Sequence, residues 1–269
     1  MNNRKIEIRK EKILLSPPHM QGREREYLVD AFDSNWIAPL GPYLSKFEKL
    51  FCEKTGFEHA VALTTGTAAI HLGLVLAGVT AGDEVLCSDF TFVASAAPIV
   101  QMGATPVFID SSKDCWNMDP SALEKALVEK SKINKLPKAV LVVHLYGQSA
   151  QMDKINPICQ KYSIPIISDS AEALGATYRG KACGADSLCA AFSFNGNKLI
   201  TTSGGGMLAS SNKEIVDKAR FLSTQAKELF PYYQHKELGY NYRMSNLLAA
   251  LGLGCLRRLN NFAVKSSRK

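Results

Sequence analysis

Ala139-Val-Leu-Val-Val-His144, Met152-Asp-Lys-Ile-Asn-Pro-Ile-Cys-Gln-Lys-Tyr162 and Pro165-Ile-Ile-Ser168 follow one another along the chain. The first and third are short, apolar and β-branched, the pattern of buried strands. The second carries apolar residues at helical spacing. A strand, a helix and a strand in that order imply two parallel strands joined by a crossover. Outward from this unit the pattern repeats. Glu84–Ser88, Thr105–Ile109, Ala190–Phe194 and Gly206–Ala209 read as further strands, and Thr67–Ala77, Ala94–Met102 and Ser121–Lys130 as helices. In Ser121-Ala-Leu-Glu124 a serine three residues before a glutamate reads as a capping box. The fold class is therefore α/β, a doubly wound sheet flanked by helices. The last three strands have short links without room for helices, which makes the sheet mixed at that side.

Before this block, Arg23–Asp33 and Tyr43–Lys54 read as polar helices, separated by Trp36-Ile-Ala-Pro-Leu-Gly-Pro42. After it come helices at Lys213–Thr224 and Ser245–Leu259. Within the last, Leu247-Leu-Ala-Ala-Leu-Gly-Leu-Gly-Cys-Leu256 is so apolar that it requires a cover. The expectation is truncation of a covering region, or burial against a partner subunit. No repeat and no linker divides the chain.

The 269 residues suffice for one large α/β domain, and 46% apolar with 21% charged residues is an ordinary globular composition. The net charge is +7, part of it in the termini. No basic stripe interleaved with aromatics marks a nucleic-acid binder, whereas a mild positive field suits a small substrate bearing a diphosphate. No apolar run reaches the roughly 18 residues that span a bilayer. Met1–Lys12 is charged and unlike a signal peptide, so a cytoplasmic location is expected. The seven cysteines are scattered and never spaced as CxxC, which reads as reduced core thiols. The five histidines do not cluster with them, so no metal site is expected.

Three places carry candidate chemistry. Asp169 ends the strand Pro165–Asp169, where open α/β sheets bind ligands. A carboxylate there can pair with a cationic ring nitrogen, or can simply cap a helix. Lys198 follows the turn Asn195-Gly-Asn197 and precedes Leu199, Ile200 and the triplet Gly204–Gly206. Partial desolvation favours a neutral, nucleophilic amine, and three glycines let backbone approach a ligand; a plain turn lysine is the alternative. Thr64-Thr-Gly-Thr-Ala-Ala69 opens a helix and offers free amides to a phosphate, or is an ordinary cap. Gly204-x-Gly206-x-x-Ala209 has the letters of a dinucleotide fingerprint but leads into a strand, which disfavours NAD.

Taken together, Thr64–Ala69, Asp89-Phe-Thr-Phe-Val-Ala94, His144-Leu-Tyr-Gly147, Asp169-Ser-Ala-Glu172, Ser193-Phe-x-x-x-Lys198 and Gly239-Tyr-Asn-Tyr-Arg243 resemble the DegT/DnrJ/EryC1/StrS sugar aminotransferases. The resemblance implies the large domain of a fold-type I pyridoxal phosphate-dependent transferase, with a central mostly parallel sheet. It implies that the cofactor, pyridoxal 5'-phosphate, is linked through the ε-amine of Lys198, which also shuttles the proton of transamination. Asp169 then pairs with the ring nitrogen, Glu172 lies near the ring hydroxyl and Phe90 stacks on the ring. Gly66, Thr67 and Ser193 hold the phosphate, and Asn241 reaches the phosphate of the neighbouring subunit across a homodimer.

Within the family, Leu15–Met20, Ser34–Gly41, Ala171–Gly175 and Asn195–Gly206 are most similar to transaminases of the UDP-N-acetylbacillosamine pathway. Those move an amino group from glutamate to the 4-keto carbon of a UDP-linked 6-deoxy-N-acetylhexosamine, feeding surface polysaccharide or protein glycosylation. Relatives with histidine in place of the lysine act as dehydratases, against which Lys198 argues. The same resemblance divides the chain into an N-terminal segment (1–40), the cofactor-binding large domain (41–245) and the start of a small C-terminal domain (246–269). The rest of that small domain is expected to be missing. The alternatives are a non-catalytic cofactor-binding remnant, or a transaminase for a different nucleotide keto sugar.

Overall fold

The computed structural model describes residue 14 and residues 16–259. The charged termini and Leu15 lie outside the described residues. In chain order the strands are β1 (His59–Leu63), β2 (Glu84–Ser88), β3 (Thr105–Ile109), β4 (Ala139–Val143), β5 (Ile166–Asp169), β6 (Thr177–Tyr178), β7 (Lys181–Ala182), β8 (Cys189–Ser193) and β9 (Gly206–Ser210). The helices are α1 (Glu24–Asp33), α2 (Pro42–Thr55), α3 (Gly66–Leu76), α4 (Ala97–Gln101), α5 (Pro120–Lys132), α6 (Met152–Lys161), α7 (Lys213–Ser223) and α8 (Asn246–Leu256).

Seven strands form one sheet in the order β1-β9-β8-β5-β4-β2-β3, and β6 with β7 makes a small hairpin. From β3 to β8 every neighbouring pair is parallel. Strand β9 runs antiparallel to both β8 and β1, so the sheet is mixed where short links predict it. Strand β1 is absent from the sequence reading. His59-Ala-Val-Ala-Leu63 holds two alanines, and its place is fixed by pairing with β9, far away in the chain.

Side chains alternate across a strand, so each strand feeds two layers. Val85, Cys87, Leu141 and Ile167 face α3, α4 and α7, while Leu86, Val140, Val142 and Ile166 face α5 and α6. Beneath β1, β9 and β8 the second layer is α1, α2 and α8, built around Phe47, Phe51, Phe192 and Phe194. Helix α5 begins two residues earlier than the capping box predicts. Asp119 is the cap, its Oδ1 accepting from Ser121 N at 2.8 Å, with Pro120 preset for the first turn. Helix α4 is shorter than Ala94–Met102, because the residues before it form turns.

The apolar helix finds its cover inside the chain. Ala249, Ala250, Leu253, Cys255 and Leu256 are buried with residues of α1 and α2, so the exposed apolar face expected at Leu247–Leu256 does not form. Each buried leucine contributes about 1.5–3 kcal/mol. Close approach is possible because Gly252 lies against the Phe47 ring and Gly254 against the backbone of Glu24. Buried Asn246 fastens the start of the helix. Its Nδ2 donates to Trp36 O at 2.7 Å, and its Oδ1 accepts from Tyr43 N at 2.9 Å.

All seven cysteines are free thiols and five of them are buried. Among the described residues no helix is long and apolar enough to cross a membrane, and no group of three His, Cys, Asp or Glu is placed to hold a metal.

Candidate active site

The parallel strands β2, β4, β5 and β8 end along one edge of the sheet, and the candidate residues gather there. Asp169 closes β5 and is only 6% exposed. Its Oδ2 accepts from Ser95 Oγ at 2.7 Å and its Oδ1 from Ala171 N at 3.0 Å. Burial pushes this carboxyl upward from its ordinary range. The two hydrogen bonds and the ammonium of Lys198 oppose that shift without cancelling it. The result is a desolvated carboxylate that a cation would stabilise. It is not a helix cap, since no helix follows β5 directly.

Lys198 sits in the loop between β8 and β9. The loop is pinned at its base, where Phe194 N donates to Gly205 O and Thr202 N to Phe194 O. Its Nζ lies 3.1 Å from Oε1 of Glu172, and the side chain is 15% exposed. Lys198 is therefore no solvated turn lysine. Oε2 of Glu172 accepts from Tyr146 N at 3.0 Å. Tyr146 has φ 51° and Gly147 φ 82°, which turn the chain back under Glu172. On the other side of the loop, His19, Met20 and Cys255 line a small cavity together with Lys198.

The third cluster forms across β9. Gly206 pairs with Leu63 on one side and Ser193 on the other, so the turn after β1 and the end of β8 meet there. Thr65 caps α3, its Oγ1 accepting from Ala68 N at 2.9 Å. That leaves the amides of Gly66 and Thr67, at the first positions of the helix, without intrahelical acceptors. Gly66 lies directly against Ser193: a Cβ on Gly66 would come within 2.9 Å of the serine Cβ. Two helix amides and a hydroxyl thus lie close together, groups of the kind that bind a phosphate. The glycine triplet works differently from the sequence reading. Gly206 admits the backbone of Thr65 and Gly66, within 2.5 Å of where a Cβ would stand, and so packs chain against chain.

Phe90 lies on the loop between β2 and α4, half exposed, with its ring 6.0 Å from that of Trp116. Asn241 is exposed, held by a backbone bridge to Thr224. Its neighbours Tyr240 and Tyr242 stack on each other at 5.0 Å, and both meet His71 edge-on. Tyr242 O accepts from Thr64 N, tying this segment to the turn before α3.

Sequence reasoning omits two members of the site. Ser95 stands one residue beyond the quoted motif Asp89–Ala94, and nothing local marks a serine whose partner is 74 residues away. His144 is quoted in a motif but given no role. It is buried, its Nδ1 accepts from Ala150 N at 3.1 Å, and its Nε2 therefore carries the proton toward Ser168 Oγ at 3.3 Å. Burial holds its imidazole down at about 4, hence neutral.

A buried carboxylate, a shielded lysine amine and a group of amide and hydroxyl donors thus lie on one sheet edge. EpsN of Bacillus subtilis (strain 168), provisionally named a pyridoxal phosphate-dependent aminotransferase, is 55% identical over 93% of this chain and 64% of its own length. GDP-perosamine synthase of Caulobacter vibrioides is 39% identical over 96% of this chain and 68% of its own. The chain thus spans about two thirds of the length of the curated relatives it matches. The solved structure of Helicobacter pylori PseC, an aminotransferase of pseudoaminic acid biosynthesis, superposes with a TM-score of 0.84 at 29% identity, covering 93% of this chain and 67% of that one. The family model for DegT/DnrJ/EryC1/StrS aminotransferases matches residues 18–268, and the chain belongs to that family.

Proposed function

We propose that this chain forms the cofactor-binding part of a sugar aminotransferase that moves an amino group from glutamate to the 4-keto carbon of a UDP-linked 6-deoxy-N-acetylhexosamine. The cofactor is pyridoxal 5'-phosphate, named for the EpsN relative. One observation carries the reading: Asp169, Lys198 and the Gly66–Thr67–Ser193 cluster lie on one sheet edge, with Lys198 acting electrostatically on Asp169. When bound, the cofactor supplies an electron-poor ring that accepts the electron pair released at the amine-bearing carbon.

The residues divide the remaining work. Asp169, shielded from water and ionised when a cationic ring nitrogen adjoins it, pairs with that nitrogen and keeps it protonated. The Lys198 amine holds the cofactor and afterwards takes and returns the proton of the substrate carbon. Glu172 sits beside Lys198 Nζ and would lie near the ring hydroxyl. The amides of Gly66 and Thr67 and the hydroxyl of Ser193 grip the phosphate, and Phe90 covers the ring face. Asn241, exposed beyond the tyrosine pair, serves the site of a second copy in a homodimer.

A transaminase for another nucleotide keto sugar is the second reading, favoured by the similarity to a GDP-perosamine synthase. Purified protein incubated with glutamate and either the UDP-linked or a GDP-linked 4-keto sugar separates the two by product mass. An aminated UDP sugar is the expected product. An aminated GDP sugar alone would replace it with the second reading. Absence of any amination, with cofactor bound, would identify a cofactor-binding remnant. Borohydride should fix the cofactor onto Lys198, and a Lys198→Ala protein that is labelled identically would overturn the reading.

A further inference from the structure

The buried carboxylate of Asp169 is not held by charge alone. Ser95 is fully buried, and its single hydroxyl proton points to Asp169 Oδ2 at 2.7 Å. Ser95 Oγ also lies 2.7 Å from Thr91 Oγ1. When Asp169 is ionised it only accepts, so Ser95 gives it its proton and Thr91 is the donor in the second bond. A directed chain results, from Thr91 to Ser95 to Asp169. Ala171 N occupies the other carboxylate oxygen, so the plane of the carboxylate is set by two donors on opposite sides.

We propose that Ser95, braced by Thr91, is a positioning residue that fixes the Asp169 carboxylate for a cationic ring nitrogen; this rests on the function proposed above. The loop carrying Ser95 also carries Phe90, so a single segment between β2 and α4 controls both the stacking face and the ring-nitrogen partner.

The surroundings leave this task to Ser95. On β2 and beyond it, Cys87 has its thiol pushed up to about 12 by burial and is neutral, and Asp89 is exposed. After β4, His144 donates its backbone N–H to Asp169 O, and its imidazole is neutral. Beyond β5 and β8, Glu172 and Lys198 oppose one another in their effect on Asp169 and are paired with each other. No net cation therefore adjoins the carboxylate before the cofactor enters, and burial favours its protonated form. The Ser95 hydroxyl counters that preference, since donation strengthens with charge on the acceptor.

The test is cofactor affinity, by absorbance titration of cofactor-free protein with pyridoxal phosphate between pH 6 and 9. Ser95→Ala should weaken binding about tenfold at the acid end, the size of one hydrogen bond to a charged group. The deficit should be larger at the acid end than at the alkaline end, because removing a donor to the Asp169 carboxylate favours its protonated form further. Ser95→Thr should restore both affinity and profile, and Thr91→Val should show a smaller loss of the same shape. In an Asp169→Asn background the Ser95→Ala effect should vanish. A parental pH profile in Ser95→Ala, or an equal loss in the Asp169→Asn background, overturns the proposal. If Ser95→Ala does not fold, Thr91→Val decides by the same profile. A parent protein that takes up no pyridoxal phosphate overturns the functional reading instead.

Discussion

Nζ of Lys198 and Oε1 of Glu172 stand 3.1 Å apart, and the other oxygen of that carboxylate holds the Tyr146 amide at 3.0 Å. Glu172 thus couples the lysine loop to the left-handed turn after β4. In cofactor-free protein, Glu172→Gln should lower stability by about 1 kcal/mol, because a partly shielded ammonium loses its counter-charge. Glu172→Ala should cost about as much again, since Tyr146 N also loses its acceptor. Urea midpoints measure both, and amide exchange at Tyr146 should quicken only in the alanine variant. Unchanged midpoints in both would show that the pair contributes nothing.

Gly206→Ala should damage the phosphate cluster. The added methyl would stand 2.3 Å from Thr65 C and O and 2.5 Å from Gly66 N, all backbone atoms that cannot swing aside. A cost of about 1–3 kcal/mol follows, with weaker pyridoxal phosphate uptake because the start of α3 must move. Gly196→Ala, where nothing lies within 4 Å, is the matched control and should be near neutral. Equal stability and affinity in the two variants would count against the cradle.

Gly254→Val tests how α8 is seated. A Cβ there meets the backbone N and Cα of Glu24 at 2.8 Å, so α1 must move outward. The buried ion pair of Glu24 with Arg258, 2.8 Å, would be disturbed with it. The expected loss is about 2 kcal/mol or more, read as a fall in melting temperature without a change in pyridoxal phosphate affinity. A variant as stable as the parent would disprove tight seating.

His144 sets an acid limit. Its folded-state value of about 4 lies below the ordinary 6.5, so the unfolded chain binds the proton more readily. Its contribution is complete above pH 6.5 and is lost as pH falls toward 4. The full swing is about 3 kcal/mol. Asp169, raised by burial, acts in the opposite sense, because its protonation favours the folded state. Comparison with His144→Asn therefore isolates the imidazole: the variant should be less stable at pH 7, and its midpoint should fall less between pH 7 and 5. Parallel profiles would exclude His144 as the cause.

Much of this was legible in local pattern. Strand and helix periodicity revealed six of the seven sheet strands, and the motifs around Asp169, Lys198 and Thr65 fall along one edge of that sheet. What escaped depended on distant partners. Strand β1 owes its place to β9, Ser95 acquires meaning only beside Asp169, and α8 reads as uncovered unless α1 and α2 are known to fold over it. The cap of α5 was misplaced for a smaller reason. Asp119-Pro120 and Ser121-x-x-Glu124 are both valid helix starts, and proline at the first position settles the choice.

The seating of α8 also has a consequence in time. Tyr43 and Asn246, joined by a hydrogen bond, are 203 residues apart. At ribosomal speeds of about 5–20 residues per second, the first two helices wait roughly 10–40 seconds for the last one. Throughout that interval Phe47 and Leu44 have no α8 to close over them, so their apolar surface stays exposed in the nascent chain.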